Sequence, residues 1–210
     1  MRKFLNKYIN EEHKFDKITM LGIFSLIIVI SGIFGWFYEF IFYYFNGGMQ
    51  QFYWRGGNFL PWINIYATGS ILIYIFSYKH RSEPLKIFLL SVLITGILEY
   101  ISGVGMYAIT GSRCWDYNSE ILNFGNIGGF VCLRSVLFFG LSSLILMYMI
   151  VPFCFFLART MNKKLFLTLS FSLCSIILID EFYNLLFARI FNLPRASRIY
   201  KKLGFHYVKF

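Results

Sequence analysis

The chain alternates long apolar runs with short polar stretches. About 20 apolar residues are needed for an α-helix to cross the hydrocarbon core of a bilayer. Five stretches approach or exceed that length: Met20–Tyr44, Leu60–Tyr78, Leu85–Tyr107, Phe130–Phe156 and Leu165–Ile190. The second is short and its start is marked by Pro61; the fifth is interrupted by Asp180 and Glu181. The pattern predicts an all-α, polytopic integral membrane helix bundle of about five transmembrane helices. A basic arm occupies 1–19, the bundle 20–190 and a basic tail 191–210. The first run is too long for a signal-peptide core and no small-residue cleavage site follows it, so it reads as an uncleaved membrane helix.

Composition agrees. Hydrophobic residues make up 58% of the chain and charged residues 14%, with mean hydropathy +0.61. A soluble domain carries about one-quarter charged residues, so a water-soluble globule is excluded, and disorder with it. The net charge of +10 does not indicate nucleic acid, because most basic residues flank apolar runs as the positive-inside rule expects. Membrane lipids are the partners this distribution implies. Arg2, Lys3, Lys7, Lys14 and Lys17 precede the first run, Lys79, Arg81 and Lys86 follow the second, and Arg159, Lys163 and Lys164 follow the fourth. The loops after the first and third contain only Arg55 and Arg113. This predicts a multi-pass protein of the cell membrane with a cytoplasmic N-terminus.

The tail opposes that scheme. Arg195, Arg198, Lys201, Lys202 and Lys209 lie outside after five spans. Either the rule fails at this segment, or Leu165–Ile190 turns back near Asp180 as a re-entrant piece; five full spans is the preferred reading. Ile199, Leu203 and Phe205 among the tail's basic residues suit a membrane surface.

Ionisable residues at membrane depth each cost roughly 2.5–3.5 kcal/mol on insertion scales, which makes them functional candidates. They are Glu39, Glu99, Arg134, Asp180 and Glu181. At about 1.5 Å per residue, the first three fall roughly 6–12 Å from the outer boundary, one on each of three helices. Glu99 shares a helix face with Ser91, Thr95, Gly96, Ser102 and Gly103, and Glu39 with Gly32, Gly35 and Trp36. Small and polar residues mark helix–helix contact, so both glutamates are expected to face the interior. Four acids meet one arginine within the spans, which leaves Arg55 and Arg113 as loop cations able to dip in and pair. Adjacent helical residues diverge by about 100°, so Asp180 and Glu181 are not expected to share a proton. The outer loops, rich in Trp, Tyr and Gly, suit the headgroup layer. Arg55, Arg113, Trp115, Asp116 and Tyr117 are placed as a roof over the Glu39, Glu99 and Arg134 layer, and these eight residues form the candidate substrate-binding set.

Several chemistries are missing from the sequence. It has no G-x-x-x-x-G-K-[ST] phosphate loop and no H-E-x-x-H. His13, His80 and His206 all lie outside the spans. Cys114, Cys132, Cys154 and Cys174 form no C-x-x-C pair; a Cys114–Cys132 disulfide is the one pairing left open. No catalytic residue, metal site or cofactor is expected, and the protein does not read as an enzyme.

Several of these residues lie in recognisable elements. They are Gly35-Trp36-Phe37-Tyr38-Glu39; Arg55-Gly56 followed by Pro61-Trp62-Ile63-Asn64-Ile65-Tyr66-Ala67-Thr68-Gly69; Leu98-Glu99-Tyr100; and Trp115-Asp116-Tyr117 with Asn126, Gly129 and Cys132-Leu133-Arg134. On these, and on Pro152, the chain resembles the CmpB-like, ABC-transporter permease family of bacterial membrane proteins over about Gly35–Pro152. Asn64 and Ala67 stand where that family usually has proline and glycine, and the Trp-Asp-Tyr loop is about three residues longer. The resemblance implies a membrane-spanning partner of a transport ATPase and brings no substrate with it.

Three readings remain open on the sequence. The first is a permease-like transport component whose charge layer receives a polar or cationic solute and whose partner is an ATPase subunit or another membrane protein. The second is a non-transporting scaffold or accessory subunit whose charges lock the bundle. The third, least supported, is an intramembrane lipid-modifying enzyme using Glu99 or Asp116.

Overall fold

The computed structural model describes residues 6–9, 14–46 and 53–207. Among them the fold is helical, as the apolar runs require, apart from one pair of two-residue strands. The chain divides into two compact units. One contains Gly69–Phe153 with the described part of the arm before residue 15; the other contains Phe15–Thr68 and residues 154–207.

Four helices are long and apolar enough to cross a membrane. Helix α1 is Lys17–Asn46. Asp16 caps it, accepting the Thr19 backbone N–H at 2.9 Å and hydroxyl at 3.0 Å, and also Lys163 Nζ at 2.7 Å. The Lys163 bond, then those of Thr19, hold the Asp16 carboxyl down at about 2. Helix α2 is Asn64–Ser77, and α3 is Pro84–Thr110 with Pro84 in the first turn, where a missing N–H costs nothing. Gly111 ends α3 in the left-handed conformation, φ +65°. Helix α4 is Leu133–Thr160 and passes through a π turn at Leu146–Ile150. That wider turn lies just before Pro152, whose ring cannot accept regular helical packing and whose nitrogen cannot donate. Helix α5 is Lys163–Ile190. Asn162 caps it, accepting from Lys164 and Leu165. Strand β1 is Tyr53–Trp54, helix α6 is Ala196–Lys202 and strand β2 is His206–Tyr207.

The second apolar run departs from expectation. Leu60–Tyr78 is not one full span: α2 has 14 residues, about 21 Å at 1.5 Å per residue against a core of about 30 Å. An extended lead-in precedes it. Trp62 in that lead-in sits against α1, where its Nε1 donates to Ile28 O at 3.1 Å. A Cβ on Gly32 would lie 2.0 Å from the Trp62 indole, and one on Gly35 would lie 2.1 Å from the Tyr66 ring. The glycine face of α1 therefore receives Trp62 of the lead-in and Tyr66 of α2.

In the unit that contains α1 and α5 these helices run parallel. Asp16 bonds Lys163 at one end, Gly22 faces Phe166 and Leu167 in the next turns, and Val29 packs with Cys174, Ile177 and Trp62 farther along. In the other unit α3 and α4 are antiparallel: Gly140 meets Phe88 and Val92, Gly96 meets Val136, and Gly103 meets Phe130. Helix α5 is continuous past Asp180, so the re-entrant alternative does not hold.

The tail packs on its own unit. Strands β1 and β2 pair in parallel, Tyr53 with His206 and Trp54 with Tyr207. Tyr200 stacks on Trp54 at 4.6 Å between centroids and donates its hydroxyl to Phe59 O at 2.8 Å. All four cysteines are free, so Cys114 and Cys132 are not joined.

Candidate functional site

In the unit formed by 15–68 and 154–207, Glu39 on α1 meets the cation that follows β1. Arg55 Nε donates to Glu39 Oε2 at 2.8 Å and its terminal nitrogen approaches the same oxygen at 2.7 Å. Tyr66 on α2 donates its hydroxyl to the other oxygen at 3.2 Å. The guanidinium lies 3.9 Å from the centre of the Tyr43 ring, and Trp36 Nε1 fixes the Arg55 carbonyl at 3.2 Å. Arg55 is only 6% exposed. A carboxylate and a guanidinium this deep are stable only because each has the other and further hydrogen bonds besides.

Asp180 and Glu181 do different work in the same unit. Non-helical backbone at membrane depth must find internal partners, and the lead-in to α2 finds them here. Asp180 accepts the backbone N–H of Phe59 at 3.1 Å and of Leu60 at 2.7 Å. Glu181 accepts the side-chain amides of Asn58 at 2.6 Å and Asn64 at 3.0 Å. Asn184, one helical turn on, donates to Asp180 Oδ1 at 2.7 Å and accepts the Ala196 N–H at 2.7 Å. The two acids hold the lead-in, and Asn184 adds the start of α6. As expected of neighbours on a helix, they do not form a dyad.

The unit formed by 69–153 contains the other two charges. Glu99 on α3 is 2% exposed. Tyr117 donates its hydroxyl to Oε1 at 2.7 Å and Ser135 on α4 donates to Oε2 at 2.6 Å. The Ser135 hydroxyl also lies 2.8 Å from Cys132 O, a second acceptor for its single proton. Arg134 pairs with Glu120, and its guanidinium lies 5.5 Å from the centre of the Tyr117 ring.

The loop between α3 and α4 positions Tyr117 by bonding to itself. Arg113 donates to Gly128 O at 2.6 Å, lies 3.6 Å from Asp116 and stacks 4.3 Å over Phe130. Trp115 Nε1 donates to Phe130 O at 2.8 Å, and the Tyr117 N–H to Gly129 O at 3.0 Å. Asn118 bridges Asp116 and Asn126. Gly129, at φ +82°, is enclosed so tightly that a Cβ would lie 2.4 Å from each of Arg113, Asn118 and Asp116.

Sequence reasoning expected a single layer with a common roof. The structure gives each member its own partners. Arg55 dips in and pairs with Glu39, and Tyr117 reaches Glu99. Arg113, Trp115 and Asp116 build the loop that holds Tyr117. Tyr66, Glu120 and Ser135 were not anticipated. Glu120 stands in a polar loop where nothing in the spacing distinguishes it, and Ser135 is one residue beyond Arg134. The Asn64 that departs from the usual proline is the partner of Glu181. Among the described residues no group of three or more His, Cys, Asp or Glu could hold a metal.

No curated protein and no solved structure matches the chain. A family model whose description reads "Putative ABC-transporter type IV" matches residues 26–185. The match runs from within α1 to the Asn184 turn of α5 and includes the Arg55–Glu39, Arg113–Asp116 and Arg134–Glu120 pairs. The chain belongs to this CmpB family of membrane proteins.

Proposed function

We propose that the protein is the membrane-spanning, non-catalytic component of an ABC-type transport system, and that Glu99 is the group that exchanges partners as a polar or cationic solute passes. The observation that carries this reading is the Glu99 site itself: a carboxylate 2% exposed, gripped by hydroxyls from a loop and from a second helix. Tyr117 and Ser135 come from different segments, and hydrogen bonds to a charged group contribute about 1.5–3 kcal/mol net each, so movement of either segment changes how Glu99 is held. The sequence contains no P-loop, so a separate subunit would supply ATP hydrolysis.

The test is to purify the tagged full chain from its native membrane in mild detergent and identify its companions by mass spectrometry. A stoichiometric ATPase subunit is expected, and Glu99→Gln should change the ATPase activity of that complex in nanodiscs without lowering its melting midpoint. Isolation without an ATPase would overturn the reading. A scaffold role is the second reading, favoured by the way Asp180, Glu181 and Arg55 tie separate segments together. It predicts instead that Glu99→Gln lowers the melting midpoint.

A further inference from the structure

We propose that α6 is a binding face for anionic phospholipid headgroups, at the membrane face where α1 ends. After Glu181 the sequence contains Arg189, Arg195, Arg198, Lys201, Lys202 and Lys209 and neither Asp nor Glu. The structure shows how this charge is displayed. One side of α6 is fixed to its own unit: Ala196 is fully buried, its N–H bonds Asn184, and Tyr200 bonds Phe59 O and stacks on Trp54. The other side presents Arg198, Lys201 and Lys202, all exposed. Their spacing of three and four residues puts them on one helix face.

The surroundings indicate the ligand. Ile190 is 72% exposed at the end of α5, Phe191 follows at 59%, and Leu203 ends α6 at 67%. Cations beside apolar side chains, at the end of a spanning helix and next to a Trp–Tyr stack, match the chemistry of the headgroup and upper acyl region. Topology does not account for the charge. Lys17, Lys163 and Lys164 already mark the opposite end of the same unit, whereas the positive-inside rule places Lys and Arg on one side. Phosphodiester headgroups with net negative charge complement three cations held at fixed spacing.

The experiment uses the purified full chain in detergent, with phosphatidylglycerol, phosphatidylcholine or inorganic phosphate added separately. Melting midpoints and lipids retained in native mass spectra are recorded. Phosphatidylglycerol alone is expected to raise the midpoint, and about 1 M salt should remove the effect, since the screening length falls to about 3 Å. Combined Arg198→Gln, Lys201→Gln and Lys202→Gln should leave the lipid-free midpoint unchanged, because the side chains are exposed. Retention should weaken about fivefold per charge removed. Lys202→Gln alone provides the same reading if the triple variant folds poorly. Equal effects of the two lipids, a full shift in the variants, or the same shift with inorganic phosphate would each overturn the proposal.

Discussion

Arg55 and Glu39 are sixteen residues apart in sequence and bonded to within 2.8 Å in the structure. Each offsets the cost of burying the other, so removing either takes away that compensation among aromatic rings. Arg55→Ala is expected to cost about 3–5 kcal/mol, read from denaturation in detergent. The double change with Glu39→Gln should cost clearly less than the sum of the single changes. Additive effects would show that the pair is not coupled. At this scale the buried acids were legible, since a carboxylate in an apolar run is conspicuous. Their partners were less so. Arg55 could be guessed as a loop cation able to dip in. The Asn58 and Asn64 amides that reach Glu181 come from 123 and 117 residues away, and no local periodicity encodes such a distance.

The elements between the helices do most of the positioning. The Trp-Asp-Tyr loop orients Tyr117 through a backbone bond to Gly129 and an arginine–aspartate clasp around that glycine. Gly129→Ala adds a methyl where three side chains leave no room, in a backbone region that disfavours Cβ. A loss of about 3 kcal/mol is expected, measured as a lower melting midpoint. Gly57→Ala is the control. It also has positive φ, +77°, but no atom lies within 4 Å of its Cβ position, so only the backbone cost of about 1–2 kcal/mol should appear. Equal losses would mean that the Gly129 enclosure is unimportant. The α2 lead-in shows where hydropathy stops being informative. Leu60-Pro61-Trp62 is as apolar as a helix and falls within the second predicted span. Pro61, the fit of Trp62 against Gly32, and the Asp180 bonds to two backbone amides keep it extended instead. Hydropathy reports what the bilayer tolerates and does not distinguish a helix from an extended segment whose amides are satisfied elsewhere in the chain.

Over the whole molecule, the direction of the last helix follows from its packing beside α1. The apolar runs predicted five crossings, and the basic tail made the last of them doubtful. Parallel α1 and α5 put the tail at the end of α1. The Asp16–Lys163 bond then marks one membrane face, and the β1–β2 pairing marks the other. In a Cys114→Ser background, where the remaining thiols are buried, single cysteines test this directly. Lys164→Cys, beside the α5 cap, and Ser197→Cys, on α6, should react with a membrane-impermeant maleimide from opposite sides. Labelling of both from the same side would mean that α5 does not cross, and the parallel arrangement would have to be abandoned. Labelling from opposite sides would place the cations of α6 on the face away from the Lys163 end, where the basic arm cannot account for them and only a negatively charged membrane surface or partner can complement them.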